Sequence, residues 1–264
     1  MILRFYALFS YLLIPFLKAY LFFRVYKGKE IRDRLKERYG ISTLNRAPGK
    51  LIWLHGVSVG ESLSLLSFIH YLVRIYPDLQ IVLTTGTVTA SRIIKDKLPP
   101  QAMHQFFPID VPLYWKRFLN HWQPDVAIVT ESEIWPNMIQ SCKNKNIPLF
   151  MINTRLTEKS YRRWLEIPKT AEKIFHSFTH IFAQSEIIAK RIRRLTSHVT
   201  VMPNLKFAAH PLDTQPEKSK VLFTQMGDRP VIAFASTHPG EEDIIFPTIK
   251  KLKERYIIKL IKES

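Results

Sequence analysis

The sequence has little cysteine and few acidic residues, and both shortages restrict what the protein can be. Cys142 is the one cysteine in 264 residues, so the chain can form no internal disulfide and no cysteine cluster that binds zinc. Asp and Glu number 22 against 39 Lys and Arg, which gives a formal net charge of +17 at pH 7. This charge predicts an anionic partner, and it leaves nucleic acid, a phospholipid surface and a phosphorylated substrate open.

Common nucleotide-binding and metalloprotease motifs are also missing. The sequence contains no G-x-G-x-x-G fingerprint, no Walker P-loop and no H-E-x-x-H helix, so nucleotide hydrolysis of the P-loop type is excluded. The aromatic residues are scattered as core positions and form no stacking stripe, which argues against nucleic acid as the partner. The 46% of hydrophobic residues are enough to bury a sizeable core, so we expect a folded chain.

An apolar segment lies at the N-terminus. From Phe5 to Phe23 its 19 residues are apolar except for Ser10, Pro15 and Lys18, and about 20 such residues cross a bilayer as a helix. The segment is longer than a signal-peptide core and no small-residue cleavage site follows it. Residues 1–27 are therefore predicted to be a membrane anchor, either a spanning helix or a helix that lies in the membrane interface.

A basic stretch follows the apolar segment. Lys and Arg residues recur from Arg24 to Arg38, whereas only Arg4 precedes the segment. The positive-inside rule then predicts that the body of the protein lies at the cytoplasmic face of the membrane. Because Glu30, Asp33 and Glu37 are interspersed with the bases, an ordinary solvated amphipathic helix explains the same pattern.

After Pro48-Gly49, short apolar runs alternate with amphipathic helical stretches. This alternation predicts an α/β fold, a Rossmann-like doubly wound parallel sheet with its site at the carboxyl ends of the strands. The predicted strands are Leu51–His55, Ile81–Thr84, Val126–Val129, Leu149–Ile152 and His180–Ala183. The predicted helices are Ser62–Ile75, Thr89–Lys97, Leu113–His121, Asn137–Lys145 and Glu186–Leu195.

The chain is predicted to divide into a large domain and the start of a second one. Residues 28–209 form the Rossmann-like domain, and the polar, proline-bearing residues 210–228 read as a linker. Residues 229–264 supply one strand, Val231–Ala235, and one helix from about Ile244 to Tyr256. Since one strand and one helix cannot bury a core, we expect the second domain to be begun and not finished.

Acidic residues follow two of the predicted strands. Glu61 ends the segment HGVSVGE, where Ser58 and Gly60 lie in a turn from strand to helix; it is either a carboxylate that complements the helix dipole or a general base. Glu131 and Glu133 follow a second strand, and if strand geometry persists their side chains point the same way. Such crowding is costly without a partner charge, so a site role for at least one is favoured over a simple helix N-terminal cluster.

Basic residues follow other strands. Arg155, with Lys159 behind it, could form a phosphate-binding loop or a solvated turn. Lys206 is a lone lysine between apolar neighbours in Asn204-Leu205-Lys206-Phe207, and by itself it has no evident role.

Taken together, these segments resemble the 3-deoxy-manno-octulosonic acid (Kdo) transferase family. The apolar N-terminus and a basic E-R-Y-G stretch come first. They are followed in the family's order by H-x-V-S-V-G-E, E-x-E-x-W-P-N, N-x-R-L-x-x-x-S, A-Q-S-E, N-L-K-F and A-S-T-H-x-G-E-E. The resemblance covers nearly the whole chain.

The resemblance implies an inverting glycosyltransferase with two Rossmann domains (GT-B), acting at the inner membrane without a cofactor or bound metal. Its donor would be CMP-Kdo and its acceptor the bisphosphorylated lipid A precursor, whose phosphates suit the positive charge. Glu61 would be the general base, and Glu131 and Lys206 would stabilise the transition state. The residues Ser58, Gly60, Glu133 and Arg155 would contact substrate.

The sequence also departs from the family. The P-R-H-P-E-like, G-E-M and N-x-L-E segments that hold the CMP group in the family do not occur. We therefore expect a chain truncated after its acceptor-binding domain. It would work with a separately encoded C-terminal donor domain, or it would be an inactive remnant that only binds acceptor or membrane.

Overall fold

The computed structural model describes residues 1–205, 216–227, 231–234, 237–253 and 259–262. By its internal contacts the chain divides into two compact units, Met1–His210 and Pro211–Ser264. The candidate catalytic residue Lys206 and most of the non-helical part of the predicted linker lie outside the described residues. The sequence-based domain division remains a prediction.

The first unit is an α/β fold built on a seven-stranded parallel sheet in the order β3-β2-β1-β4-β5-β6-β7. Five strands confirm the predicted set. The other two strands were not predicted, because Ala102–Phe106 contains no apolar run and Val199–Val201 has only three residues. The strands are β1 Leu51–Gly56, β2 Gln80–Thr85, β3 Ala102–Phe106, β4 Val126–Thr130, β5 Leu149–Thr154, β6 His180–Ala183 and β7 Val199–Val201.

Helices cover both faces of this sheet. The five predicted ones are present, but two short helices after β5 were missed. The helices that follow the N-terminal region are α4 Val59–Ile75, α5 Val88–Lys95, α6 Pro112–Trp122, α7 Pro136–Asn144, α8 Glu158–Leu165, α9 Pro168–Phe175 and α10 Glu186–Arg193.

The alternating directions of the side chains along β1 show why helices pack on both faces of the sheet. Trp53 and Leu54 are adjacent and fully buried, and adjacent strand residues point to opposite faces of a sheet. Trp53 packs with Trp115 and Phe118 of α6 in the larger core, whereas Leu54 belongs to a second core with Leu65 of α4. A parallel sheet buried on both faces therefore accounts for the apolar runs that identified the strands.

The predicted anchor is two helices. Helix α1 spans Ile2–Leu12 and helix α2 spans Ile14–Tyr26, and their axes are bent by 58°. The prediction of one continuous helix is wrong, because Pro15 lacks a backbone N–H and begins a new helix at its first turn. No single helix in the described residues is long and apolar enough to cross a membrane. The bent pair of α1 and α2 together meets these two requirements, by length and composition alone.

Helix α1 is docked on the sheet domain through buried polar groups. The Tyr6 hydroxyl donates to Asp110 Oδ2 at 3.0 Å, and Asn137 Nδ2 donates to Ser10 Oγ at 3.3 Å. Asp110 also accepts from the backbone N–H groups of Asn137 and Met138 at the start of α7. Burial raises the pKa of the Asp110 carboxyl, although these hydrogen bonds oppose the shift.

The basic stretch after α2 is partly internal. It folds as a 3-10 turn, Arg32–Arg34, and a single helical turn, α3 Leu35–Arg38. The Arg38 guanidinium is buried and donates two hydrogen bonds to Glu30, and burial lowers the pKa of that guanidinium. Arg34 donates to both carboxylate oxygens of Glu37. The interpretation of this stretch as one solvated amphipathic helix is therefore wrong for Arg34 and Arg38.

The second unit contains more regular structure than predicted. A helix, α11 Pro216–Met226, lies within the residues predicted as a linker. Strand β8 Val231–Phe234 and helix α12 Glu241–Lys253 match the predicted strand and helix, and strand β9 Lys259–Lys262 pairs with β8 in parallel. The prediction of a single strand here is wrong.

We expect Gly40→Ala to destabilise the first unit far more than Gly28→Ala. Both glycines follow a helix with positive φ, +72° and +66°, so either alanine costs about 1–2 kcal/mol of backbone strain. A Cβ at Gly40 would lie 2.0 Å from Tyr114 O, whereas one at Gly28 would meet nothing within 4 Å. The loss at Gly40 should therefore reach about 4 kcal/mol or more. Free energies of unfolding from urea titrations measure the difference, and equal losses would contradict it.

Candidate active site

Three neighbouring strands bring the predicted acidic and basic residues to one edge of the sheet. Ser58, Gly60 and Glu61 follow β1, Glu131 and Glu133 follow β4, and Arg155 follows β5. Because the sheet order runs β1-β4-β5 and all three strands are parallel, these segments leave the sheet at the same edge.

Glu61 is held in the first turn of α4 by a capping box. Its carboxylate accepts hydrogen bonds from the Ser58 hydroxyl at 2.6 Å and from the backbone N–H groups of Val57 at 3.1 Å and Ser58 at 3.3 Å. Ser58 Oγ in turn accepts from Glu61 N, which stabilises the start of the helix. The helix-terminal interpretation of Glu61 is therefore confirmed, and it leaves a base role open.

The capping box also explains the position and contacts of Ser58. The spacing of Gly56, Ser58 and Gly60 fits the G-x-S-x-G pattern of a hydrolase nucleophile. However, Ser58 is the extended N-cap residue of α4 (φ −93°), and its hydroxyl donates to the Glu61 carboxylate. The serine thus orients Glu61, and nothing in its contacts makes it a nucleophile.

The surroundings of Glu61 keep it ionised. Burial raises the pKa of this carboxyl, but hydrogen bonds from Ser58, Thr130 and the two backbone N–H groups outweigh burial, so its pKa lies below the ordinary value. The carboxylate is therefore deprotonated at neutral pH. Each of its oxygens is oriented by a hydroxyl group, Oε1 by Ser58 and Oε2 by Thr130.

Thr130 is a site residue that sequence analysis missed. Its Oγ1 lies 2.7 Å from Glu61 Oε2 and 3.1 Å from the backbone oxygen of His55. Both neighbours are acceptors, so the hydroxyl joins the end of β4 to the start of α4. The available signal was a polar residue at the end of a buried strand, directly before Glu131.

Glu131 lies just beyond β4 in a left-handed backbone conformation, with φ of +55°. This conformation is strained for a non-glycine residue, and such strain is common at functional sites. It also ends the strand alternation, so the expectation that Glu131 and Glu133 point the same way by strand geometry is wrong. Arg155 Nη1 lies 3.9 Å from Glu131 Oε2, and the Arg155 side chain is 57% exposed.

Asn153 has the same left-handed conformation at the neighbouring strand end, with φ of +54°. Its side-chain Oδ1 accepts a hydrogen bond from Leu205 N at 3.3 Å, and its backbone oxygen accepts one from Gln184 Nε2 at 2.8 Å. The chain therefore returns to this edge of the sheet at the residue before Lys206. Asn153 and Gln184 were missed as site residues because their roles depend on contacts distant in sequence.

Glu133 lies beside His55. Glu133 Oε2 is 3.4 Å from His55 Nε2 and accepts a hydrogen bond from Trp135 Nε1. The His55 ring is fully buried and stacks on Phe107 with ring centroids 3.6 Å apart. Glu133 is a predicted substrate contact, whereas His55 lies in a predicted strand and has no predicted role.

A cavity of about 340 Å³ opens between α2 and this edge of the sheet. One wall comes from α2 and is mainly apolar, with Arg24 as its charged residue, and the other carries Glu133, Trp135 and Val57 near the Glu61 cap. A larger cavity lies at the amino ends of β1 and β2, away from these residues. Of the predicted acidic site residues, Glu133 lines the first cavity, and Glu61 accepts a hydrogen bond from the lining residue Val57.

Comparison with known proteins gives a consistent family match. Residues 33–209 match the family model described as 3-deoxy-D-manno-octulosonic-acid transferase (kdotransferase). The chain is 36% identical to the 3-deoxy-D-manno-octulosonic acid transferase of Rickettsia bellii over 96% of this chain and 61% of that protein. It is 33% identical to the enzyme of that name from Haemophilus influenzae over 87% of this chain and 55% of that protein. The chain thus spans about half the length of these relatives.

Solved structures share the fold at low identity. A UDP-GlcNAc 2-epimerase from Neisseria meningitidis aligns with a TM-score of 0.56 at 14% identity, covering 81% of this chain and 66% of that one. A glycosyltransferase from Rickettsia africae aligns with a TM-score of 0.52 at 11% identity, covering 83% and 69%. These matches confirm the predicted α/β fold and say nothing about the substrate.

We expect Thr130→Val to weaken the pH dependence of stability in acid. The pKa of Glu61 lies below its ordinary value of 4.5 in the folded chain, so its ionised form stabilises the fold above pH 4.5. That stability is lost as the pH falls through the folded-state pKa. Without the Thr130 hydroxyl the pKa of Glu61 rises, so less stability is lost.

Carboxyl ¹³C titration of Glu61 and unfolding free energies at a series of pH values measure this effect. Thr130→Ser keeps the hydroxyl and serves as the control, with a titration like that of the wild type. An unchanged Glu61 titration in Thr130→Val would show that the hydrogen bond has no role.

Proposed function

This chain belongs to the 3-deoxy-D-manno-octulosonic acid (Kdo) transferase family, and we propose that it binds the acceptor for Kdo transfer from CMP-Kdo to the lipid A precursor. One observation carries the proposal. Glu61 is a deprotonated carboxylate, fixed by two hydroxyl groups and two backbone N–H groups at the edge of the sheet, close to a cavity that can admit a ligand.

Glu61 suits the role of general base in an inverting transfer. An acceptor hydroxyl loses its proton to the carboxylate while its oxygen attacks the anomeric carbon of Kdo, and the bond from that carbon to the CMP phosphate oxygen breaks. The lowered pKa keeps the Glu61 carboxylate ionised and ready to accept a proton at neutral pH, and it also makes this carboxylate a weaker base than an ordinary glutamate. The capping box holds it in place, which removes the cost of orienting it during the reaction.

Other residues at this edge have proposed roles beside the base. Glu131 and Lys206 stabilise the positive charge that develops on the sugar ring and the negative charge on the leaving group. Ser58 and Gly60 shape the turn next to the acceptor, and Glu133 contacts its hydroxyl groups. Arg155 is an exposed guanidinium and binds a phosphate of the acceptor.

The N-terminal helices are proposed to hold the protein on the cytoplasmic face of the inner membrane. Many of their large apolar side chains are exposed, and a cluster of this size is rare on a soluble monomer. A chain of net charge +17 would also be attracted to anionic headgroups. The most exposed are Phe5, Leu8, Leu12, Phe16, Phe22 and Tyr26.

The donor side of the reaction is proposed to involve a separately encoded C-terminal domain. In this scheme residues 28–209 bind the acceptor, residues 210–228 join the two parts, and residues 229–264 begin the domain that holds CMP-Kdo. The scheme assigns the residues that match the family model, 33–209, to acceptor binding. The exposed apolar side chains of the N-terminal helices also fit a second candidate, in which the chain binds acceptor or membrane without transferring Kdo.

We expect Glu61→Gln to lower the rate of Kdo transfer by about 100-fold or more, because general bases contribute at least this factor. The chain is incubated with CMP-Kdo and lipid A precursor, alone and together with the donor-binding domain of a family member, and the product is measured by mass spectrometry. Thermal unfolding of the variant checks that the fold is intact.

Glu158→Gln is the matched control. Glu158 is an exposed carboxylate at the start of α8, paired with Arg162, and its substitution should leave transfer unchanged. If the wild type transfers no Kdo in either arrangement yet still binds acceptor vesicles, the second candidate is correct. If Glu61→Gln transfers as well as the wild type, the base is another residue.

We expect Phe16→Ser combined with Phe23→Ser to weaken binding to phospholipid vesicles by at least about tenfold, because each exposed phenylalanine contributes roughly 1–3 kcal/mol on burial. Co-sedimentation with vesicles that contain anionic phospholipid measures the change. Tyr71→Ser combined with Ile75→Ser removes two exposed apolar residues from α4 and is the control. Equal weakening by both pairs would contradict the assignment of α2 to the membrane.

A further inference from the structure

The His55 side chain is a buried titratable group that the proposed mechanism does not use. It lies at the end of β1, it has no solvent exposure, and its Nε2 points toward the carboxylate of Glu133 at 3.4 Å. Nε2 makes no hydrogen bond with any described residue, and the polar group that faces it is the Glu133 carboxylate.

Thr84 fixes the protonation of the opposite ring nitrogen. His55 Nδ1 lies 3.0 Å from both the backbone oxygen and Oγ1 of Thr84. The backbone oxygen can only accept, and the Thr84 hydroxyl donates its own proton to Leu54 O at 3.2 Å while it accepts from Trp53 Nε1 at 2.8 Å. Nδ1 therefore carries a proton and donates it to Thr84.

A proton on Nδ1 restricts the protonation states that are compatible with the contact at Nε2. If His55 were neutral, Nε2 would present a lone pair to the Glu133 carboxylate, and the two would repel each other. A proton on Nε2 would remove this repulsion and turn the 3.4 Å contact into an attraction between opposite charges. Trp135 Nε1 donates to that same Oε2, which favours the negative charge on Glu133 and the proton on His55.

The other ionisable groups that line the cavity already have partners. Arg24 and Arg38 each donate to Glu30 at 3.1 Å. Asp110 accepts from Tyr6, Trp115 and the N-terminus of α7. Among the described residues around the cavity, Glu133 is therefore the carboxylate left to pair with His55.

We propose that His55 and Glu133 form an imidazolium–carboxylate pair in which His55 is a positioning residue. It holds the Glu133 carboxylate at the rim of the cavity, where the carboxylate accepts hydrogen bonds from hydroxyl groups of a sugar ligand. The part that concerns the sugar rests on the proposed function, since it assumes that the acceptor occupies this cavity. The pair itself follows from the contacts alone.

The position of Glu133 suits this role. Its side chain is 16% exposed, so one oxygen can meet a ligand while the other is held by His55 and Trp135. A buried imidazolium is costly unless a carboxylate compensates it. Removing the Glu133 carboxylate should therefore remove the proton from His55 Nε2.

Nitrogen-15 NMR of the full-length chain labelled at its histidine rings tests the pair directly. At pH 7.5 we expect the His55 resonances, identified by their loss in His55→Gln, to show protons on both ring nitrogens. In Glu133→Gln we expect Nδ1 to keep its proton and Nε2 to lose it. A neutral His55 ring in the wild type, or a ring unchanged by Glu133→Gln, would overturn the pair.

A second measurement tests what the pair does. In acceptor titrations of the transfer assay, we expect His55→Gln and Glu133→Gln each to raise KM about tenfold with little change in kcat. The double variant should be no worse than either single one, because the two residues act as a unit. His70→Gln, an exposed histidine on α4, is the control. Additive losses, or a loss confined to kcat, would overturn the positioning role.

The two measurements separate this inference from the proposed function. If no Kdo transfer is found under any condition, binding of the same variants to vesicles carrying the lipid A precursor replaces KM, with the same tenfold expectation. Failure of the proposed function leaves the NMR result to decide the pair. A confirmed pair with unchanged acceptor affinity would overturn its role at the site.

Discussion

The pairing of β1 with β4 is the constraint on which the site depends. These strands are separated in sequence by two complete βα units, yet they lie side by side at the centre of the sheet. Their adjacency lets Thr130, at the end of β4, donate to Glu61, in the first turn of the helix that follows β1. The same adjacency brings Glu133 to the ring of His55. Without it, the acidic residues would remain two unrelated helix-terminal clusters.

Hydrogen bonding at this edge serves two purposes at once. The capping box that begins α4 also orients the Glu61 carboxylate and lowers its pKa, so a common helix-stabilising motif provides a fixed, ionised carboxylate at the edge of the sheet. The left-handed conformations of Glu131 and Asn153 add strain at the neighbouring strand ends. Such strain persists only where surrounding contacts hold it. Here the Glu131 N–H donates to the backbone oxygen of Ile152, and the Leu205 N–H donates to the side-chain Oδ1 of Asn153.

The N-terminal helices belong to the same unit as the site. Tyr6 contacts Asp110 before α6 and Ser10 contacts Asn137 of α7, so α1 is docked on the sheet domain, and the Arg24–Glu30–Arg38 cluster holds the chain that follows α2. Because α2 also forms a wall of the cavity, the surface proposed to meet the membrane adjoins the surface proposed to bind a lipid-linked acceptor. An acceptor with acyl chains could then reach the site while its lipid part stays in the bilayer.

The sequence by itself determined the family, the α/β class, five of the seven strands in the sheet of the first unit and the positions of the acidic residues. Local patterns were sufficient for these, because apolar runs mark strands buried on both faces and short motifs mark the turns after them. Only the tertiary structure decided the internal pairing of Arg34 and Arg38 and the contacts of Thr130 and His55. Each depends on a partner distant in the chain or on the direction of a side chain. Neither is encoded in spacing along the sequence, because the strand order that creates these contacts is a property of the whole sheet.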